Sequence, residues 1–275
     1  MAADIVPELL DAIQKDFDKL FKNDDAIKFV RGLIRNGSAT YSDMNAYAIR
    51  TGELLADVFK KHLNSGSLPD GKMYYNIAER ILTPTLKNNH DIIATAAAET
   101  QELLNKSAGI GIKAIKANVN NDRISGLIEK VSEANMFDDV AWVLDQPIVN
   151  FGQHVVDETA RTNADFHSRS GLSPTIRRTM VSETCDWCEK LAGVYNYEDV
   201  KRTGHPVFMR HRKCDCLVEY DPRDGTNKIN AHTKKVIGSK ADIEARKKLE
   251  IEREKKHAEA DKLRKERIAL AKSKG

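Results

Sequence analysis

Apolar residues recur every three or four positions at the start of the chain. Between residues 5 and 21 they are Ile5, Leu9, Leu10, Ile13, Phe17, Leu20 and Phe21. This spacing places them on one face of a helix, because an α-helix completes one turn about every 3.6 residues. Pro7 lies near the beginning of the segment, where a helix accepts proline. The pattern predicts an amphipathic helix here.

Helical spacing continues, with interruptions, to about residue 165. Polar and glycine-containing stretches at residues 36–38 and 64–71 are typical of loops. The alanine-rich segment 92–104 has high helix propensity, whereas the two glycines within 108–112 predict a helix break. A further helix is predicted at 148–166. Residues 1–165 are therefore predicted to form a series of helices.

The pattern changes after Gly171-Leu-Ser-Pro174, where short stretches of alternating and β-branched residues replace helical spacing. Residues 175–181, 193–197 and 216–220 each predict a strand. An Asp-Pro-Arg-Asp-Gly sequence at 221–225 ends the last of them, because proline and glycine interrupt strands. Residues 166–226 are therefore predicted to form a small α+β module.

The last part of the sequence, 227–275, is dominated by charge. From Ser239 onward it holds thirteen Lys or Arg and eight Asp or Glu. Opposite charges often fall four residues apart, as in Glu252 with Lys256 and Asp261 with Lys265, and such pairs support a helix. The apolar positions keep no heptad seam. We expect an extended, solvated helical tail and not a coiled coil.

Composition narrows the function classes only slightly. The chain is 41% hydrophobic, 31% charged and 6% aromatic, with a net charge of +3 that does not by itself require a nucleic acid or a membrane as partner. The longest uncharged apolar stretch, 92–98, is far shorter than the roughly 20 residues that span a bilayer. The first residues show no secretory signal. We expect no membrane span and a reducing cytosol around the cysteines.

All four cysteines lie between residues 185 and 216, within the predicted α+β module. Cys185 and Cys188 have the spacing of a metal-binding knuckle. Cys214 and Cys216 point to the same face if they lie on a strand. With His211, five candidates compete for about four places, so one is spare or lies outside the first coordination sphere. A closed set of four protein ligands is typical of structural sites.

Two other readings of the cysteines remain open. One is disulfide or redox chemistry, which would require an oxidising compartment or a thioredoxin-like βαβ unit. The other is that the four cysteines are unrelated buried thiols. The spacing favours one structural zinc ion. The predicted fold class is therefore α+β: a mainly α-helical N-terminal region (1–165), a small zinc-stapled α+β module (166–226) and an extended charged C-terminal helix (227–275).

Basic residues surround the predicted metal site in sequence. The candidates for nucleic-acid contact are Arg177, Arg178, Arg210, Arg212 and Lys213, with Lys201 and Arg202 nearby. They suit phosphate contacts without base reading. They also suit ordinary solvated charge, since charge without geometry does not identify a binding surface. Both interpretations stay open from the sequence.

Three stretches carry a resemblance to a known family. They are Gly171-Leu-Ser-Pro174, then Thr184-Cys185-Asp-Trp-Cys188-Glu-Lys-Leu-Ala-Gly193-Val-Tyr195, then Val207-Phe-Met-Arg-His211-Arg-Lys-Cys214-Asp-Cys216-Leu-Val-Glu-Tyr-Asp-Pro222. Together they resemble the C-terminal part of minor head proteins of tailed bacteriophages, in the head-morphogenesis group related to phage Mu protein F. The resemblance covers roughly residues 150–225. Many relatives have His-Pro-Asn-Cys where this chain has His211-Arg-Lys-Cys214.

The resemblance implies a low-copy capsid protein without enzymatic activity. It implies a place in the virion, and in the host cytoplasm during assembly, with portal or major capsid protein as partner. It also implies non-specific contact with packaged DNA or ejection with it, and no small-molecule substrate. The cysteines and His211 are the positions that it carries over as ligands.

Two alternative functions are weighed beside this one. A metal-dependent nuclease with a zinc-stabilised core would use His205 or His211 to activate water beside a second ion. It lacks a carboxylate or Asn partner at a characteristic spacing. A zinc-ribbon regulator would explain the cysteines and leave the helical half of the chain without a role.

Overall fold

The computed structural model describes residues 4–181, 186–211 and 214–222. The predicted tail at 227–275 lies outside the described residues, as do the candidate ligand Cys185 and the basic residues Arg212 and Lys213. The described part is mostly helical and carries one small three-stranded sheet. The prediction of a mainly helical chain with a small sheet is confirmed.

The described residues form seven helices before the first strand and two further helices between the strands. The first seven are α1 (Val6–Asn23), α2 (Asp25–Arg35), α3 (Tyr41–His62), α4 (Tyr75–Ser107), α5 (Asn121–Ser132), α6 (Phe137–Val140) and α7 (Gln146–Arg169). The last two are α8 (Asp186–Leu191) and α9 (Tyr197–Thr203), and 3-10 turns lie at Pro69–Gly71, Ala141–Leu144 and Pro206–Phe208. The strands are β1 (Thr175–Thr179), β2 (Gly193–Asn196) and β3 (Leu217–Asp221).

Side chains fix several helix starts. Asp24 accepts a hydrogen bond from the Ile27 backbone N–H at 3.0 Å and caps α2. Thr40 and Asp43 form a reciprocal capping box at the start of α3. Such caps satisfy backbone donors that a helix leaves unpaired at its first turn. They explain why α1, α2 and α3 separate cleanly even though the apolar pattern is nearly continuous.

Helices α3 and α7 form the centre of the helical region, and two glycines let their backbones come close. A Cβ at Gly52 would lie 2.7 Å from the Val149 Cα, and a Cβ at Gly152 would lie 2.9 Å from the Ala48 carbonyl oxygen. Real Cβ atoms do not approach other atoms so closely, so any larger side chain would push the helices apart. This pair of glycines sets the register of α3 against α7.

The core around helices α3 and α7 is apolar and shielded from solvent. Fully buried members include Ile13, Met44, Ile81, Leu82, Leu86, Ile93, Val131 and Ile148. They come from α1, α3, α4, α5 and α7, so the five helices share one hydrophobic cluster. Within the described ranges, no helix combines the length and the apolar character needed to cross a bilayer.

The sheet is antiparallel with the order β2-β1-β3. Ile176 lies opposite Tyr220 and Arg178 lies opposite Val218, so these four side chains share one face. Each of them is at most 1% exposed. Strand β3 packs on α3 and α7. We use "sheet module" for residues 175–222, that is, the strands with α8, α9 and their connections.

A chain of buried polar side chains joins the sheet module to the helices. The Tyr41 hydroxyl donates to Gln101, whose amide donates to Asn105 at 2.7 Å. The Asn105 amide lies 3.5 Å from His167 Nε2, and His167 Nδ1 is hydrogen-bonded with the Tyr220 hydroxyl of β3. Burial lowers the pKa of His167 to about 4, so its imidazole is neutral at neutral pH.

Several sequence expectations can be compared directly with these elements. The break predicted at 108–112 is present, because α4 ends at Ser107 and regular structure resumes only at α5. Asn163 holds this connection by accepting from the Ile115 N–H at 2.7 Å and donating to the Ile115 carbonyl at 2.8 Å. Helix α7 continues past residue 165 to Arg169. The three strands lie within two residues of their predicted bounds.

Candidate metal centre

Three of the predicted ligands meet at one point. One ligand atom each from Cys188, His211 and Cys214 lies within 4.8 Å of the others, and the group can hold a metal ion. The Cys188 and Cys214 sulfurs are 4.0 Å apart. Two thiolates on one tetrahedral zinc ion lie about 3.8 Å apart, so this separation fits. The 2.8 Å between Cys188 Sγ and His211 Nε2 is a hydrogen-bond distance, shorter than the about 3.5 Å between such ligands around zinc.

The sheet register explains why residues so distant in sequence meet. Strands β1 and β3 are antiparallel and Thr179 lies opposite Leu217. The chain that leaves β1 and the chain that enters β3 are therefore at the same end of the sheet. The first leads to Cys188 on α8, and the second contains Cys214. A turn in which the Cys214 N–H donates to the His211 carbonyl at 3.2 Å adds the imidazole.

Cys216 lies against this group. Its side chain is 1% exposed and packs with Cys188 and Cys214 in one buried cluster. A hydrogen bond from Cys216, with Arg210 and Arg178 nearby, lowers the pKa of Cys214 to about 5 although burial opposes this. The same hydrogen bond, and then burial, raises the pKa of Cys216. These contacts favour the thiolate form at Cys214 over Cys216.

Arg178 of β1 points into the cluster and touches three segments. Its Nη1 donates to the carbonyl oxygens of Val207 at 2.6 Å and Met209 at 2.7 Å, and its Nη2 donates to the Cys214 sulfur at 3.4 Å. The guanidinium carbon lies 5.3 Å from the centre of the Trp187 ring, and that ring is nearly perpendicular to the His211 ring, with 5.5 Å between the centroids. The guanidinium thus belongs to the wall of the site.

Arg210 fastens the same segment to helix α7. It forms a paired hydrogen-bonded ion pair with Asp157, with Nη2 2.7 Å from Oδ1. Its Nη1 donates to the Cys216 carbonyl at 2.7 Å. Both side chains are almost fully buried, at 2% and 1% exposure. The Asn150 amide of α7 adds a hydrogen bond to the His211 carbonyl at 3.2 Å. Helix α7 therefore supports the ligand-bearing segment.

The structure places two of the candidate DNA-contacting residues inside the protein. Arg178 and Arg210 face carbonyl oxygens, a sulfur and a carboxylate inside the protein, not a surface that a phosphate can reach. The reason is that thiolates and buried carbonyls need donors. Arg177 lies on the other face of β1 and is half-buried. Of the neighbouring basic residues, Lys201 pairs with Asp165 and Arg202 with Asp199.

His205, the other histidine considered at the sequence level, has a different setting. Its ring lies 4.3 Å from the Tyr195 ring, between centroids. Among the residues that the structure describes, the group able to hold a metal comprises Cys188, His211 and Cys214 and does not include His205.

Sequence reasoning missed the supporting residues Asp157, Asn150 and Arg178. A signal for Arg178 was present, because Ile176 and Arg178 alternate along a predicted strand and must share its inward face. No comparable signal exists for Asp157, which lies 53 residues from its partner Arg210.

Comparison with protein families gives a match to this chain. A family model described as VG15 protein matches residues 38–235, well over half of the chain. The match runs from just before α3 through the whole sheet module. No curated protein and no solved structure matches the chain.

Proposed function

The chain belongs to the VG15 protein family, a family of phage gene products, and from this premise we propose that it is a structural minor head protein of a tailed phage. It acts at the portal or the capsid during head assembly and DNA packaging. The family match over residues 38–235 is the observation that carries this proposal. The sequence motif around the cysteines, which resembles that of minor head proteins, gives the proposal its finer content.

The second part of the proposal concerns the metal. We assign a structural zinc ion to the cluster, held by four of the five candidates Cys185, Cys188, His211, Cys214 and Cys216. Sulfur and imidazole ligands suit zinc. Cys188, Cys214 and Cys216 are each at most 1% exposed, which leaves little room for a water ligand or a substrate. Such a site stabilises a fold and does not catalyse a reaction.

The surroundings of the cluster support a role in assembly. The sheet module has short elements and packs its apolar side chains into the helical core, so a metal ion would fix its outer, ligand-bearing end for a partner such as portal or major capsid protein. Contact with packaged DNA, if made by this module, would fall to Arg177, Arg212 and Lys213. Arg178 and Arg210 are hydrogen-bonded to groups inside the protein.

The proposal is tested by analysing particles of the phage that encodes this chain. Purified procapsids and mature virions are examined by quantitative mass spectrometry, with and without a nonsense mutation in the gene. We expect the protein in procapsids at few copies per portal, and fewer infectious, DNA-filled heads in the mutant. Absence of the protein from both kinds of particle, with normal head assembly in the mutant, would contradict a structural head function.

A further inference from the structure

The charge of Arg178 is unusual for its position. The side chain is 1% exposed, yet among the described residues no carboxylate forms an ion pair with it. Arg210, its neighbour in the same wall, is neutralised by Asp157. Moving a charged group from water into a protein interior is unfavourable unless an opposite charge accompanies it. Arg178 therefore needs a negative partner within the cluster.

The partner within reach is the sulfur of Cys214. Arg178 Nη2 lies 3.4 Å from this atom, in hydrogen-bonding geometry. A cysteine binds metal as the thiolate, which carries a full negative charge and accepts N–H hydrogen bonds. Hydrogen bonds between two charged groups are stronger than those between neutral ones. The contact is thus of the kind that compensates a buried guanidinium.

The net charge of the loaded metal site differs between the possible ligand sets, and so does the number of cations needed to balance it. Four thiolates around a divalent ion leave two net negative charges, whereas three thiolates and one neutral imidazole leave one. In the described wall of the site, one guanidinium lacks a carboxylate partner, and it belongs to Arg178. A single uncompensated cation matches the set with one imidazole. The imidazole is that of His211, whose Nε2 lies 2.8 Å from the Cys188 sulfur.

We propose that Arg178 is the counter-charge and outer hydrogen-bond donor of the metal site, and that the loaded site consists of three thiolates and His211. The inference rests on the metal site of the proposed function. It makes Cys188, His211 and Cys214 ligands, and it leaves one place for either Cys185 or Cys216. Arg178 is then a positioning residue for metal binding.

Its other contacts fit a positioning role. The guanidinium holds the Val207 and Met209 carbonyls, and Met209 lies two residues before His211. It also stacks on Trp187, the residue before Cys188. One planar group therefore contacts a segment next to each of the three clustered ligands. Losing such outer partners commonly weakens metal affinity by about 10- to 100-fold.

The test compares the full-length wild type with Arg178→Met and Arg178→Lys. Zinc affinity is measured by competition with a chromophoric chelator, and the cobalt-loaded proteins are examined by absorption spectroscopy. We expect Arg178→Met to bind zinc about 10- to 100-fold more weakly. The sulfur-to-cobalt charge-transfer bands should move to longer wavelength, because a thiolate without its N–H donor gives up an electron more easily. Arg178→Lys keeps the charge and should lie between the two.

Arg202→Met is the matched control, because Arg202 belongs to the same module but is 75% exposed and pairs with Asp199. It should bind metal as the wild type does. The spectral shift is read in loaded, folded protein, so a change in folding alone does not produce it. X-ray absorption of the zinc-loaded wild type should give three sulfur ligands and one nitrogen.

Two results would overturn the inference while leaving the metal site intact. One is a zinc shell of four sulfurs. The other is an affinity and cobalt spectrum in Arg178→Met that equal those of the wild type and of Arg202→Met. A wild-type protein that binds no divalent metal would overturn the metal site itself, and the inference with it.

Discussion

The helical region and the sheet module are stabilised in different ways. Helices α1–α7 bury long aliphatic and aromatic side chains from several elements in one cluster. The strands of the sheet module have four or five residues each, and its centre holds three cysteines and two arginines. The first region relies on apolar surface removed from water. The second adds apolar side chains such as Ile176 and Tyr220 to the same cluster at its base, and relies at its ligand-bearing end on paired charges and on ligands that suit a metal ion. Loss of one partner should therefore matter far more in the second region.

The two regions nevertheless share a boundary made by helix α7. Its Asp157 pairs with Arg210, its Asn150 holds the His211 carbonyl, and its His167 meets Tyr220 of β3. The sheet module therefore has a fixed base on the helices, independent of the metal. We expect the base to remain folded when the ligand-bearing end of the module loosens.

Metal removal should produce the largest difference in local stability between the two regions. Binding of structural zinc in small zinc-finger peptides contributes on the order of 10 kcal/mol, and that energy is coupled to folding. After treatment with a strong chelator, hydrogen exchange should accelerate in α8 and at the Thr179–Leu217 end of the sheet, with little change in α3 and α4. Equal changes in both regions, or none, would break the comparison.

The next largest effect is expected from Asp157→Asn. The substitution keeps the shape of the side chain but leaves the guanidinium of Arg210 buried and unpaired. Breaking a buried pair in this way costs about 3–5 kcal/mol of unfolding free energy. Urea denaturation measures it. Asp199→Asn is the control, because its pair with Arg202 is exposed and should contribute under about 1 kcal/mol. Equal losses in both variants would argue against the buried pair as a support.

The unfolding free energy should depend on pH through His167, which lies at the boundary between the two regions. The pKa of His167 is about 4 in the folded protein because of burial, against an ordinary value of 6.5. As the pH falls from about 6.5 towards 4, the unfolded chain takes up a proton that the folded protein does not. The unfolding free energy should therefore decrease by up to about 3 kcal/mol over this range.

The variant His167→Gln isolates this contribution, because glutamine stays neutral and can still hydrogen-bond. Urea denaturation of both proteins is followed across the same pH range. The wild type should lose more unfolding free energy than the variant. Parallel curves for the two proteins would show that His167 titrates normally.

The smallest of these effects concerns the helical region. In Gly52→Ala the new methyl group would lie 2.7 Å from the Val149 Cα, so α3 and α7 must separate. Overpacking of this kind costs about 1–3 kcal/mol. Gly32→Ala in α2 is the matched control, since nothing lies within 4 Å of its Cβ position. There alanine should stabilise the helix by about 0.5–1 kcal/mol. A Gly52→Ala protein as stable as the control would contradict the close approach.

Local patterns predicted much of this molecule, and long-range pairings explain what they missed. Helical periodicity located α1 and α7, and alternation located β1–β3 close to their observed bounds. The spacing of Cys188, His211 and Cys214 predicted a cluster that the fold does bring together. The pairing of Arg210 with Asp157 and the contact between Gly52 and Val149 join distant parts of the sequence. No local pattern encodes such partners, so only the fold shows that Arg210 is internal.

The central claim, that a zinc ion holds the sheet module, is tested most directly by elemental analysis of the purified full-length protein and of Cys188→Ser. Cys188 is fully buried and lies within ligand distance of both His211 and Cys214. We expect about one zinc ion per wild-type chain and a large loss of zinc in the variant. A wild-type protein without stoichiometric metal, or a Cys188→Ser protein that retains all of its zinc, would contradict it.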